Sequence, residues 1–319
     1  MMYLAFGLFL LSYSITASLI PFIIKICGKF SIVDFQDFRK QKEPSKVRLG
    51  GLSIVLGSFI PLIFSNIFFK GFIPSDPLIS LFIFGSLAFF IIGFLDDIFT
   101  ISPLLRLFFQ ISFSTFIWSK GIRIENISFA FFPSLNLSFQ NFEILSLLIT
   151  VFWIVAIVNA INWLDGLDSL AIGVSSIVFL TLLINFWLNN QLLYSSYTLL
   201  IFGSCFGFLC YNLPPAKILM GDGGSYFLGF NLAIMTLFSN TASFNNNFFL
   251  VDRSLLFLFI PLFDMSIVIF SRLKNKRSPF YPDRSHLHHR LLDSGISYKR
   301  TLFIIFLLTT LFILIGVLI

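Results

Sequence analysis

Long apolar runs alternate with short polar ones along the whole 319-residue chain. A helix needs about 20 apolar residues to cross a bilayer's hydrocarbon core. Ten runs approach that length: Leu4–Ile26, Gly50–Phe69, Leu78–Phe99, Pro103–Ser119, Ile144–Trp163, Leu170–Leu188, Gln191–Tyr211, Tyr226–Phe238, Ser254–Ser271 and Thr301–Ile319. Bilayer interiors leave backbone groups no outside partner, so each run is predicted helical. They are too long and uniformly apolar for barrel strands. The pattern predicts an all-α fold, a polytopic integral membrane bundle of about ten transmembrane helices, forming a single domain over residues 1–319. The eighth run is short and contains Gly229, so it predicts a tilted helix or ends lying beyond the run.

Composition agrees. Hydrophobic residues make up 57% of the chain and charged residues 11%, whereas soluble domains average about a quarter charged. A soluble globular protein is excluded. The first run has no basic residue before it and Lys25 and Lys29 after it, the reverse of a secretion signal, so it reads as a retained span. The three cysteines, Cys27, Cys205 and Cys210, have neither metal spacing nor a disulfide pattern. The 46 phenylalanines read as compositional drift.

Basic residues set the orientation. Seventeen of the 21 Lys and Arg fall after odd-numbered runs, leaving Lys70, Lys120, Arg123 and Arg253 for the other side. The positive-inside rule makes the 17-residue face cytoplasmic and puts both termini outside. The net charge of +6 belongs to that face and calls for no nucleic acid.

Four polar islands interrupt the apolar pattern: Gly93–Thr100 (GFLDDIFT), Asn159–Gly173 (NAINWLDGLDSLAIG), Lys217–Gly229 (KILMGDGGSYFLG) and Ser278–Gly295 (SPFYPDRSHLHHRLLDSG). The threading, built from hydropathy and Lys/Arg alone, puts all four on the cytoplasmic side. Carboxylates at membrane segments are costly, and their default reading is functional. One composite site at the membrane surface is therefore expected.

Asp96 and Asp97 end the third run and point about 100° apart on a helix. One suits a cation and the other a second group, against an ordinary helix-end charge pair. Arg106 opens the fourth run, where a guanidinium can hold phosphate. Asn159, Asn162, Asp165 and Asp168 recur every three residues and predict a stripe on one helix face. Oxygen donors there suit a hard cation or a sugar nucleotide, against a polar end lining a water-filled vestibule. Gly166 breaks the helix and admits close backbone approach. Asp222 lies among glycines before a helix, where it is placed to hold Mg²⁺ bridging phosphate oxygens. Asn212 with Pro214 and Pro215 forms a rigid loop upstream. His286, His288 and His289 are all the histidines of the chain. Arg284 and Arg290 beside them favour an anion over zinc, with a passive basic loop as the plain alternative.

These motifs, in order and spacing, resemble the polyprenyl-phosphate N-acetylhexosamine-1-phosphate transferases, glycosyltransferase family 4. Lys46–Gly51 (KVRLGG) is similar to that family's first cytoplasmic loop, and the likeness runs from about Asp34 to Gly295. It implies a bacterial cytoplasmic-membrane enzyme whose active site faces the cytoplasm. Such an enzyme moves a sugar 1-phosphate from a UDP-N-acetyl amino sugar to polyprenyl (undecaprenyl) phosphate, using Mg²⁺ or Mn²⁺ and releasing UMP. The resemblance implies catalytic roles for Asp96, Asp97 and Asp222. It makes Asp222 a metal ligand supported by Asp97 or Asp168, and Asp96 a base or nucleophile. Asn159, Asn162, Asp165 and Asp168 would meet metal and nucleotide, and Asn212 the uracil. His286, His288, His289 and Arg290 would meet the amino sugar and diphosphate, and Arg48 or Arg106 the lipid phosphate. The string PDRSHLHHRL looks like the N-acetylglucosamine branch rather than the one acting on UDP-N-acetylmuramoyl-pentapeptide. Ser169 stands where a glycine is usual, and Leu219 where an aromatic is frequent. A homodimer is carried as a candidate assembly. A cation transporter is the reading from another class, but the chain shows no repeat, and Asp264 alone lies deep in a run, where its plain role is a helix-packing hydrogen bond.

Overall fold

The computed structural model describes residues 2–29, 46–68, 77–132, 134–241, 249–281 and 283–319. The first-loop residues Asp34, Arg39, Lys40 and Lys42, with Lys70 and Pro282, lie outside them. In chain order the helices are α1 (Met2–Lys29), α2 (Gly51–Phe68), α3 (Pro77–Phe99), α4 (Pro103–Ser119), α5 (Glu143–Leu164), α6 (Leu170–Leu188), α7 (Leu192–Asn212) and α8 (Gly221–Thr241), then α9 (Val251–Phe257), α10 (Phe259–Lys274), α11 (Leu287–Asp293) and α12 (Tyr298–Leu318). Among the described residues each of the ten apolar runs therefore falls on helix.

Among the described residues, six helices are long and apolar enough to cross a membrane, or seven if the bent α9–α10 pair counts as one span. The predicted ten spans thus reduce to six or seven by this standard. The ninth run is not one straight helix: α9 and α10 meet at 85°. Pro261 supplies the reason, because its ring clashes with the carbonyl four residues back, at Phe257. The eighth run extends at both ends, to a 21-residue helix. A small sheet was not foreseen. Strands β1 (Asn126–Ser128), β2 (Asn136–Ser138) and β3 (Phe249–Leu250) lie in the order β2-β1-β3. Ile127 pairs with Leu137 in the antiparallel ladder and with Phe249 in the parallel one.

Helix α8 is the axis of the bundle. It packs against α2, α3, α5 and α6, and Tyr226, Phe227, Leu228, Phe230 and Asn231 are essentially inaccessible. A helix apolar all round belongs in an interior. Between membrane helices close packing, not water release, holds such contacts, and small residues permit it. Gly51 of α2 meets Gly224 of α8, and Gly93 of α3 meets the Asp222 carbonyl, so closely that neither has room for a Cβ. Those two crossings bring the C-terminal end of α3 and the start of α2 onto the N-terminal end of α8. The C-terminal end of α5 and the start of α4 arrive at the same end. The sheet, following α4 and α8, sits at the other.

Candidate active site

Asp97 and the start of α8 are one unit. Its two carboxylate oxygens accept from Asp222 N and Gly223 N, both at 2.9 Å. A carboxylate capping a helix N-terminus satisfies orphan amides and meets the positive end of the helix dipole. Asp96, one residue earlier and turned away, accepts from Ile101 N at 2.6 Å and from Arg106. The two aspartates serve different partners, as their 100° separation requires.

Arg106 is the centre of the site. The same guanidinium nitrogen that bonds Asp96 lies 2.8 Å from Asp222 Oδ2. Asn162 donates to the other Asp222 oxygen and to Ser225 Oγ, each at 3.0 Å. Arg48 stands at the rim, 3.9 Å from Asp97 and 3.8 Å from Asp222. Two carboxylates from different helices thus converge on one cationic nitrogen.

The expected stripe does not extend past Asn162. Helix α5 stops at Leu164, with Asp165 as its C-cap, so Asp165 and Asp168 leave the helical face. Asn159 turns to α4, donating to Gln110 Oε1 at 2.7 Å. Asp165 remains at the mouth. Loss of water first, then the charge of Asp222, raises its carboxyl well above the ordinary range, with Arg48 opposing. Asp168 joins a second group: it pairs with Lys46 at 3.2 Å and accepts from Ala216 N at 2.9 Å. Tyr298 Oη donates to its backbone carbonyl at 3.0 Å.

Asn212 is buried, and its carboxamide is committed internally: Ser169 N donates to Oδ1 at 2.8 Å and Nδ2 donates to Ile218 O at 2.8 Å. It staples the second island to the third. Ser169 adds a hydroxyl bond to Asn212 O at 2.9 Å. Its φ is +68°, a left-handed conformation that explains why glycine suits this position. The first loop is laced to the third island by backbone bonds from Leu219 N to Val47 O, Gly50 N to Leu219 O and Gly51 N to Met220 O, at 2.8–3.0 Å.

The histidines sit against the end of α5. His286 Nδ1 is 2.9 Å from Asp264 Oδ2, and the ring edges onto Trp163. His288 is 1% exposed and packs on Gly166, with neither ring nitrogen hydrogen-bonded. Burial, then the neighbouring imidazoles, pushes it down to about 3. His289 is lowered for the same first reason. Arg290 is exposed. Arg272, which is buried, and Asp283, which is half-buried, both unmarked by the sequence reading, form an ion pair beneath this segment. Gln110, Ser225, Lys46 and Tyr298 were also missed; each is an ordinary polar residue whose partner lies far along the chain.

Among the described residues no three His, Cys, Asp or Glu side chains form a ready metal cage. The donor set nonetheless fits Mg²⁺, which typically takes one or two protein carboxylates and completes its shell with phosphate and water. Asp222, Asp96 and Asp97 offer such carboxylates, and the first and second already share one cation, the Arg106 guanidinium. Asp96, Asp97 and Asp168 each also accept from a backbone amide.

Residues 79–240, about half the chain, match the model of glycosyl transferase family 4. A Bacillus subtilis (strain 168) protein named as a probable undecaprenyl-phosphate N-acetylglucosaminyl 1-phosphate transferase is 31% identical over 306 residues, covering 95% of this chain and 82% of that one. The undecaprenyl-phosphate alpha-N-acetylglucosaminyl 1-phosphate transferase of Escherichia coli (strain K12) is 28% identical over 305 residues, 93% of this chain and 79% of its own. A Mycobacterium tuberculosis decaprenyl-phosphate N-acetylglucosaminephosphotransferase is 36% identical over 160 residues, 45% of this chain and 40% of its own. With four polar islands meeting at one end of an apolar bundle, and a relative matched along most of both chains, this protein belongs to glycosyl transferase family 4.

Proposed function

We propose that this chain transfers N-acetylglucosamine 1-phosphate from its UDP-sugar to a polyprenyl phosphate, releasing UMP, at the cytoplasmic face of a bacterial inner membrane. On this reading all ten apolar runs are crossings, with the α9–α10 pair as one broken crossing, and both termini lie outside. The observation that carries it is the convergence of Asp96 and Asp222 on one cationic nitrogen at the mouth of an apolar bundle. The names of the relatives support the substrates.

Both substrates are anions, so the first task is charge. Arg106 and Arg48 at the mouth, with Lys46 in the neighbouring group on Asp168, would attract phosphate. Asp222 and Asp96 would hold Mg²⁺ or Mn²⁺, which when bound screens the two phosphates and polarises the reacting one. Asp97 fixes the start of α8, and Asn162 turns the Asp222 carboxylate. An oxygen of the lipid phosphate attacks the β-phosphorus of the UDP-sugar. The bond from that phosphorus to the bridging oxygen breaks, UMP leaves, and the sugar–phosphate bond survives. A phosphate monoester has its second pKa near about 6, so the nucleophile needs little deprotonation. Both Asp96 oxygens are engaged, by Ile101 and Arg106, which supports a positioning role over a covalent one. His286, His288, His289 and Arg290 would face the amino sugar and diphosphate.

The test is purified protein with polyprenyl phosphate, Mg²⁺ and a panel of UDP-N-acetyl sugars, reading UMP release. UDP-N-acetylglucosamine is expected to turn over only with lipid acceptor present. No release with any sugar, or release independent of acceptor, contradicts the proposal.

A further inference from the structure

Helix α10 carries its charges on the wrong face for a surface helix. Ile260, Asp264, Val268 and Arg272 recur every four residues and are all buried, so two charged side chains point inward where apolar ones are usual. Both seize the same incoming segment. The Arg272 guanidinium lies 5.1 Å over the Trp163 ring and forks onto Asp283 at 3.1 and 3.0 Å. It also donates to Pro279 O at 2.5 Å. Two turns earlier, Asp264 accepts from Leu287 N at 2.6 Å and meets His286 Nδ1 at 2.9 Å. Trp163, one residue past the Asp222 partner Asn162, contacts both Arg272 and His286. The histidine segment is thereby tied to the carboxylate mouth.

A carboxylate against Nδ1 selects the imidazole tautomer carrying its proton there and leaves Nε2 as the acceptor. Simple helix packing has no use for such a group, since a buried carboxylate costs several kcal/mol unless well paired. Resting on the transferase reading of this site, we infer that Asp264 is a positioning residue: it sets the ring tautomer and orientation of His286, and through Leu287 the register of the histidine segment, for the UDP-sugar. The expected helix-packing role of Asp264 is thus replaced by one directed at the site.

The chain has three histidines, so ¹⁵N-histidine labelling in nanodiscs at pH 8 gives a simple spectrum, in which His286→Gln identifies one ring. The expected result is a proton on Nδ1 of His286 in the native protein and on Nε2 in Asp264→Asn. A native Nε2–H tautomer, or no change in Asp264→Asn, overturns the inference; the native spectrum decides even if the variant fails to fold. In turnover, Asp264→Asn should lower kcat/KM for UDP-N-acetylglucosamine about 10–100-fold, the usual scale for an outer partner of a functional histidine. The KM for polyprenyl phosphate should stay unchanged. Added to His286→Gln, Asp264→Asn should cost nothing further, whereas fully additive losses indicate a separate structural role. If the native protein turns over no UDP-sugar, the transferase reading fails while the tautomer measurement still judges the Asp264 contact.

Discussion

The carboxylate junction and the histidine segment lie at the same end of the bundle but solve opposite problems. At the junction Asp96, Asp97 and Asp222 crowd together, and each is met by a guanidinium, a backbone amide or Asn162. In the segment burial lowers His288 and His289, and His288 has no partner for either nitrogen. Dense charge is tolerable where compensation is built in, and at the junction one guanidinium is shared by two carboxylates. The segment keeps charge off its buried rings, carries Arg284 and Arg290 on its exposed side, and is held from beneath by α10. One region supplies electrostatics, the other shape and hydrogen bonding.

Removing a junction charge should have the largest effect. Asp222→Asn is expected to cut UMP release roughly 10³-fold or more, the scale of losing a preorganised charge-stabilising group, with the thermal unfolding midpoint little changed. Activity within tenfold of native would break the contrast. Spacing comes next. Gly93→Ala puts a methyl where α3 touches the Asp222 carbonyl, and misplacement by about 1 Å can cost about 10²-fold in rate. Turnover should fall by that order, with a lower unfolding temperature.

Acid should discriminate the two regions. His288 titrates near 3 when folded against about 6.5 when unfolded. Its neutral form is therefore favoured by folding, so this stability is complete above about 6.5 and is lost as pH falls toward 3. Each pH unit in that window costs about 1.4 kcal/mol, or about 2 kcal/mol by pH 5. Amide exchange across residues 284–295 should accelerate on acidification from pH 7 to 5, and His288→Phe should abolish the effect. Exchange independent of pH, after correction for intrinsic rates, would show that the ring is already charged or already free.

The smallest effect is expected at Ser169. Glycine there relieves a left-handed backbone worth about 1 kcal/mol or more but removes a hydroxyl bond to Asn212 worth about 1 kcal/mol. Ser169→Gly should leave stability and turnover within twofold of native. A large change would mean that the second and third islands are coupled to catalysis more tightly than a staple requires.

Much of this was readable in the chain. Among the described residues the apolar runs located the six or seven helices able to span a membrane, because such helices must be both long and oily, and adjacency alone separated Asp96 from Asp97. Other features needed the third dimension. The three-residue spacing of Asn159 to Asp168 implied a continuous face, but the helix ends at Leu164 and Asp168 turns to Lys46. Asn212 has the chemistry of a uracil contact and spends it on backbone. Asp264 was visible as a lone buried acid, yet its partner lies 22 residues on, past the end of α10 and across a loop. The break between α9 and α10 was encoded by Pro261 and masked by an unbroken apolar run.

The central claim is that Asp222 and Asp96 share one divalent cation. It is tested most directly by Mn²⁺ binding to the purified protein, followed by electron paramagnetic resonance with and without UDP-N-acetylglucosamine. The account predicts one site, competed by Mg²⁺, lost in Asp222→Asn and retained in Asp168→Asn. Undiminished binding in Asp222→Asn, or loss in Asp168→Asn alone, would contradict it.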